Sequence, residues 1–413
     1  MNNFIFQNST KVYFGKGCVK EYLTCLTKNA QTILLAYGGG SIKRNGVYDE
    51  ITGILKGAGK TIVEFSGIMS NPTYDKVQEG ARLARDNQAD MILAVGGGST
   101  MDCCKAVSLA ARYDGDIWED FWAHPGVIDF DPLPLGVVVT VAGTGSECNG
   151  GAVITNEERK IKTGRDYPAL NPRFALMDPT YTFSVPKKQM ASGSFDILSH
   201  IMETYFSEPD EQNVSDELAE ALMRNIIRNM RMAVENPRDY TARSNLLWDS
   251  TLSENRLIKL GKKCDFACHL MEHQLGAYTD CGHGQGMAVL HPSYYRHIYR
   301  DGAFQISPDL PSMSGRSPRR ERAGRNWPGP GSLPWKPSSG IWAFPPLCGS
   351  LGSRIRSSLR ALRTPAVFHR EATGKYCRGR YWRFLKSVFK KGNTIFLHIK
   401  RCHSYNSGTF DLN

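Results

Sequence analysis

The stretch MILAVGGGSTMDCCKAVSLAARY, residues 91–113, decides the fold. The five apolar residues MILAV are too short for a buried helix and read as a strand covered on both faces. Gly96, Gly97, Gly98 and Ser99 end that strand, and MDCCKAVSLAARY continues with a helical period. In this order, strand then glycine turn then helix, backbone N–H groups can approach a phosphate at the helix N-terminus. One such turn is weak evidence alone, because glycines also end strands for steric reasons.

Working outward, the unit recurs. QTILLAY ends in Gly38-Gly39-Gly40-Ser41, and the helical VYDEITGILKGAG, the strand-like TIVEF and the helical DKVQEGARLARDNQA lead to residue 91. Beyond it, LGVVVTV (135–141) is another buried strand, ending in AGTGSE. Short apolar strands alternating with amphipathic helices predict βαβ units and a parallel sheet. Three glycine-rich turns at one edge of that sheet point to a nucleotide. ITNEERKIKTG (154–164) reads as a hairpin outside the sheet. After DPTYTFSVP (178–186) the text turns helical up to about residue 275. The predicted architecture is a Rossmann-like α/β nucleotide-binding domain over 1–183, an all-α metal-binding domain over 184–303, and an irregular C-terminal quarter over 304–413.

Composition excludes several classes. The 413 residues are 41% hydrophobic and 22% charged, with no run of 18 apolar residues and no signal-peptide pattern. Neither a membrane span nor secretion is expected. Eleven cysteines, an odd number without regular spacing, argue against a disulfide framework and for a reducing cytoplasm. The net charge of +11 is unevenly placed. Residues 1–303 hold 31 Lys+Arg and 36 Asp+Glu, whereas 304–413 hold 20 and 4. The first three quarters are therefore mildly acidic, and nucleic-acid binding is not expected of them.

The turn Tyr37-Gly38-Gly39-Gly40-Ser41-Ile42-Lys43-Arg44 hints at which nucleotide. Sites selecting NAD usually place a carboxylate near a strand end to accept from the ribose 2′-OH. This turn offers open backbone, a hydroxyl and two cations, which suits a 2′-phosphate. NADP(H) is the expected cofactor, with NAD(H) as the alternative.

Two side-chain pairs point to a metal. Asp196 and His200 are spaced i,i+4 on one helix face, and so are His269 and His273. His283 follows in Gly-His-Gly-Gln-Gly. Either pair alone reads as an ordinary hydrogen bond on a helix. Together, one carboxylate and several imidazoles form a donor mix for a hard-to-borderline divalent cation. Such a cation beside a nicotinamide would stabilise an alkoxide, or polarise an aldehyde carbonyl in reverse.

These residues, with KVYFGKG, YGGGSIKRNGVYD, SNPTYDKV, VGGGSTMDCCKA, AGTGSECNGGAVITNEERKIK and NPRFALMDPTYTFSVP, resemble the iron-containing alcohol dehydrogenases. The likeness is to their butanol dehydrogenase and NADPH-dependent aldehyde reductase branch, over residues 3–303. The resemblance implies metal ligands at Asp196, His200, His269 and His283, and a substrate-facing or proton-relaying histidine at His273. It implies cofactor contacts at Asn71, Gly97, Gly98, Ser99, Asp102, Thr140, Thr144 and Lys162, beside those of Gly38, Gly39, Gly40 and Ser41. Gly38 stands where NAD-preferring relatives carry aspartate. A small alcohol or aldehyde substrate and a homodimer are further implications.

The resemblance stops near residue 303. The remaining 110 residues contain ten prolines and fourteen arginines against four acids, without helical period. They read as a basic extension or, better, as out-of-frame text. GSLPWKPSSGIWAFPPLCGSLG (331–352), with its codons regrouped one nucleotide earlier, can encode an amphipathic helix and a family-like loop. The expectation is a one-base loss near codons 303–312, a poorly ordered tail and an incomplete helical domain.

Overall fold

A computed structural model describes residues 1–209 and 213–300. The expectations for residues 304–413 lie outside the described residues. Residues 1–288 form one compact unit.

The chain runs β1 (Lys11–Phe14), α1 (Cys18–Leu26), β2 (Thr32–Tyr37), α2 (Ser41–Arg44), α3 (Val47–Gly57), β3 (Thr61–Phe65), α4 (Tyr74–Asp86), β4 (Met91–Gly96), α5 (Gly98–Ala110) and β5 (Leu135–Val139). A hairpin of β6 (Gly151–Asn156) and β7 (Ile161–Asp166) precedes β8 (Phe174–Met177). Then come α6 (Lys187–Tyr205), α7 (Val214–Glu235), α8 (Tyr240–Glu254), α9 (Ala267–Thr279) and α10 (His283–Arg300). The last helix continues into the unit that begins at Val289. None of the described helices is long and apolar enough to cross a membrane.

Six strands form one sheet in the order β1-β8-β5-β4-β2-β3, every neighbouring pair parallel. The continuous apolar runs follow from this arrangement, since helices cover both faces. Leu34, Ala36, Ile92, Ala94, Val137 and Val139 face one core with Val77 and Ala81 of α4. Ile33, Leu35, Met91, Leu93, Val95 and Val138 alternate with them into a second core, against Val19 and Leu23 of α1 and Ile51 and Leu55 of α3. β6 and β7 pair antiparallel, as the hairpin reading expects.

β1 and β8 escaped the sequence reading as strands. Each has only four residues, too few to show a period. Their pairing comes instead from partners distant in sequence, Lys11 against Phe174 through Phe14 against Met177.

From β2 the chain passes to β3 on one side, while from β4 it passes to β5 on the other. The order reverses between β2 and β4, the position where open α/β sheets leave a crevice for a ligand. The turns 38–41 and 96–99 flank that crevice, with the turn after β5 beside them.

Candidate metal centre and cofactor cradle

α6 carries Asp196 and His200 on one face, α9 carries His269, and His283 opens α10. One donor atom from each of these four residues lies within 4.8 Å of the others. Asp196 Oδ1 is 3.3 Å from His283 Nε2, 3.7 Å from His200 Nδ1 and 3.9 Å from His269 Nε2.

Each ring is held by its Nδ1. His200 Nδ1 lies 2.8 Å from the Asp196 carbonyl oxygen, which can only accept, so the proton sits on Nδ1 and Nε2 carries the lone pair. His269 Nδ1 bonds the Glu203 carboxylate, and His283 Nδ1 bonds that of Glu272. Carboxylates behind ligand imidazoles fix tautomer and orientation in metal sites. The donor set therefore fits a divalent cation.

Glu203 has a second task. It accepts from the backbone N–H groups of Cys268 (2.7 Å) and His269 (3.2 Å), capping α9 from another helix, while Asp265 accepts from the Ala267 N–H at 3.1 Å. Phe266 at that end and Asp280 at the other both have left-handed φ, 45° and 50°. For non-glycine residues this costs about 1–2 kcal/mol each. The Glu203 bonds offset it at one end, and Asn71 Nδ2 donating to Asp280 Oδ1 at 2.7 Å offsets it at the other.

The electrostatics follow from burial and pairing. Burial works to raise Asp196, but His283 and His200 hold it below the usual range. Burial works to lower His283, yet Glu272 and Asp196 outweigh it and raise the ring to about 10. Burial likewise opposes ionisation of Glu272, but His283 and Lys162 bring it down to about 2. Burial pushes Glu203 up to about 8, against the N–H bonds it accepts. His273 is lowered to about 3 by burial and by the neighbouring Lys162 and His283 cations. It is thus neutral at physiological pH, and its buried Nδ1 has no hydrogen-bond partner among the described residues.

The cofactor-turn residues gather at the sheet edge but differ in their bonds. Ser99 Oγ donates to the Ser70 carbonyl at 2.5 Å. Asp102 accepts from Ser146 Oγ (2.7 Å) and Val153 N–H (3.0 Å), tying α5 to the turn after β5 and to the hairpin. Thr140 is buried at the end of β5, and Thr144 packs against Gly98. Lys162, buried on β7, pairs with Glu272 at 3.2 Å and so reaches the ring of His283 through that carboxylate. Asn71 braces the loop before His283, as its bond to Asp280 shows.

The turn after β5 also approaches α6. A Cβ on Gly143 would sit 3.7 Å from Asp196 Oδ2, and one on Gly193 of α6 would collide with the Ala142 carbonyl. The approach requires glycine at 193, whereas a Cβ on Gly143 would make only ordinary van der Waals contact. Ser250 of α8 holds the turn by accepting from the Gly143 (2.9 Å) and Gly145 (3.1 Å) N–H groups. Ser250→Ala leaves both buried donors unpaired. It is expected to lower stability by about 1–3 kcal/mol in denaturant titration and to raise the cofactor KM. An unchanged KM would show that the turn does not need this support.

Four residues were missed by the sequence reading. Glu203 and Glu272 were signalled by position, as Glu203 follows His200 by three residues and Glu272 follows His269 by three, each near the face of that histidine rather than beside the ring it holds. Lys105, fully buried, donates to Ser146 Oγ (2.7 Å), Asn149 Oδ1 (3.0 Å) and the Gly151 carbonyl (2.7 Å). Glu64 changes the view of the 38–44 turn. It reaches in from β3, accepts from Tyr37 OH (2.5 Å) and Tyr48 OH, and pairs with Lys43 Nζ at 3.1 Å. The turn has no carboxylate of its own, but its lysine is engaged by one.

Glycine-rich turns on a parallel sheet, abutting a buried three-histidine, one-aspartate cluster, define a metal-centred, dinucleotide-dependent oxidoreductase. Residues 9–179 match the iron-containing alcohol dehydrogenase family, and residues 190–313 match its C-terminal part. The chain belongs to the iron-containing alcohol dehydrogenase family. It is 43% identical to NADH-dependent butanol dehydrogenase A of Clostridium acetobutylicum over 301 residues, 73% of this chain and 77% of that protein. It is 34% identical to the NADPH-dependent aldehyde reductase YqhD of Escherichia coli over 297 residues, 71% and 76% of the two chains. The crystal structure of NADH-dependent butanol dehydrogenase A from Thermotoga maritima superposes with a TM-score of 0.70 at 40% identity, covering 73% of this chain and 76% of that one.

Proposed function

We propose that this protein interconverts a primary alcohol of butanol's kind with its aldehyde, using NADP(H) and a divalent cation, Fe2+ or Zn2+. The observation that carries this reading is the approach of Gly143, in a glycine-rich turn of the sheet, to Asp196 of the histidine cluster. It brings a cofactor-type cradle and a metal-type donor set to one place.

In this reading Asp196, His200, His269 and His283 hold the metal, and Glu203 and Glu272 orient two of the rings. When bound, the cation stabilises developing alkoxide charge and the nicotinamide carries hydride. The turns at 38–41, 96–99 and 142–146 bind and orient the dinucleotide, with Asn71, Asp102, Thr140 and Lys162 at its borders. His273, neutral and with an unpartnered Nδ1, takes up or returns the proton of the alcohol at that atom.

The open turn at Gly38 supports NADP(H). A second reading, NAD(H), is favoured by Glu64, whose charge both neutralises Lys43 and opposes a 2′-phosphate. The relatives divide likewise, as their names above state. Dialysis against a chelator should abolish butanol oxidation, and Fe(II) or Zn(II) should restore it. The ratio of kcat/KM for NADPH and NADH should favour NADPH. Fluorescence titration of both cofactors and metal analysis report binding independently of turnover. Chelator-insensitive turnover would overturn the metal assignment, and tighter NADH binding would establish the second reading.

A further inference from the structure

Arg243, on α8, is 3% exposed. Its Nε donates to the Pro237 carbonyl at 2.9 Å, but its buried Nη2 has no hydrogen-bond partner among the described residues. Burial lowers its pKa, and no carboxylate among the described residues pairs with it. A cation buried without a counter-charge is strongly unfavourable.

Arg243 lines a cavity whose other walls are Val141, Ala142, Thr182, Val185, Met190, Ser194 and Leu246. Val185 and Met190 bracket the first turn of α6. That helix has 19 residues, no side-chain cap at its N-terminus and no acidic residue in its first turn. No side chain offsets the positive end of that helix, whose field favours an anion nearby. Ser194 Oγ, on the same wall, reaches only Met190 Sδ at 3.8 Å, a weak acceptor that leaves the hydroxyl able to turn.

We propose that this cavity binds a small inorganic anion of the halide class, with Arg243 as its counter-ion. Arg243, with its unpaired Nη2, and Ser194, with its weakly engaged hydroxyl, line the cavity, and the positive end of α6 lies beside it. Val141, Ala142 and Leu246 are apolar, and Thr182 Oγ1 already donates to the Pro179 carbonyl at 2.7 Å, so an oxyanion such as phosphate would leave oxygens unsatisfied there. A single spherical charge suits the lining. The anion would join the turn after β5 to the helix that carries Asp196, and so stabilise the folded protein without touching substrate.

The test uses the full chain in gluconate buffer at fixed ionic strength, titrated with sodium bromide or chloride while the thermal midpoint is followed. A saturable rise of about 2–4 °C or more is expected, and Arg243→Met should be insensitive to either halide. If that variant does not fold, crystals of the unaltered protein soaked in bromide decide, with an anomalous peak expected beside Nη2. Absence of a saturable shift, water alone in the cavity, or a carboxylate from elsewhere in the chain occupying it would overturn the proposal.

Discussion

Asp196→Asn is expected to strip the protein of its metal and to lower kcat/KM for alcohol oxidation by at least about three orders of magnitude. Asp196 supplies the only anionic ligand atom of the set, and it faces all three imidazoles within 3.9 Å. A metal acting as a Lewis acid contributes several kcal/mol to charge stabilisation, and about 1.4 kcal/mol corresponds to a decade in rate. The amide nearly preserves the volume of the buried carboxylate, so the helix packing should survive. Metal analysis of the purified variant and fluorescence titration of the cofactor separate this outcome from misfolding. The expected pattern is little metal with near-normal cofactor affinity. Full metal occupancy with normal turnover would show that Asp196 is not a ligand.

Glu272→Gln should weaken metal binding about 10–100-fold. The carboxylate is fully buried between His283 Nδ1 and Lys162 Nζ. The amide can still accept from the ring, but it no longer balances the buried Lys162 ammonium. Unpaired, Lys162 becomes the costly partner, because breaking a buried pair leaves a desolvated charge. Lys162→Met added to Glu272→Gln should therefore recover part of the lost metal affinity. Competition with a metal-sensitive dye measures this directly, and the double-mutant cycle reports the coupling. Equal affinities in the single variant and the parent would remove Glu272 from the support of the metal site. Additive effects would separate it from Lys162.

Legibility in the sequence followed how local each signal was. The strand at 91–96 and the helix after it were readable because a doubly covered strand is apolar throughout and its glycine turn is contiguous with it. The aspartate–histidine pair on α6 was readable because i,i+4 spacing is a property of one helix. Glu203 and Glu272 were not read as functional, since a glutamate on a helix ordinarily faces water. Their burial exists only after α6, α9 and the hairpin converge. Glu64 escaped for the same reason. Nothing in TIVEF announces that its glutamate will turn back toward Lys43 in the neighbouring turn.

By itself the sequence determined the class of fold, the order of β2 to β7 along the chain, the three glycine-rich turns and the residue types able to hold a metal, because periodicity and spacing are local properties of a chain. Tertiary structure alone decided the sheet order, the place of β1 and β8 within it, and the carboxylates that hold the Nδ1 atoms of His269 and His283. It also decided the approach of Gly143 to Asp196 and the burial of Arg243 without a counter-charge. Those features join residues tens to hundreds of positions apart, and the energy of a buried charge depends on what surrounds it in space, which spacing along the chain does not encode.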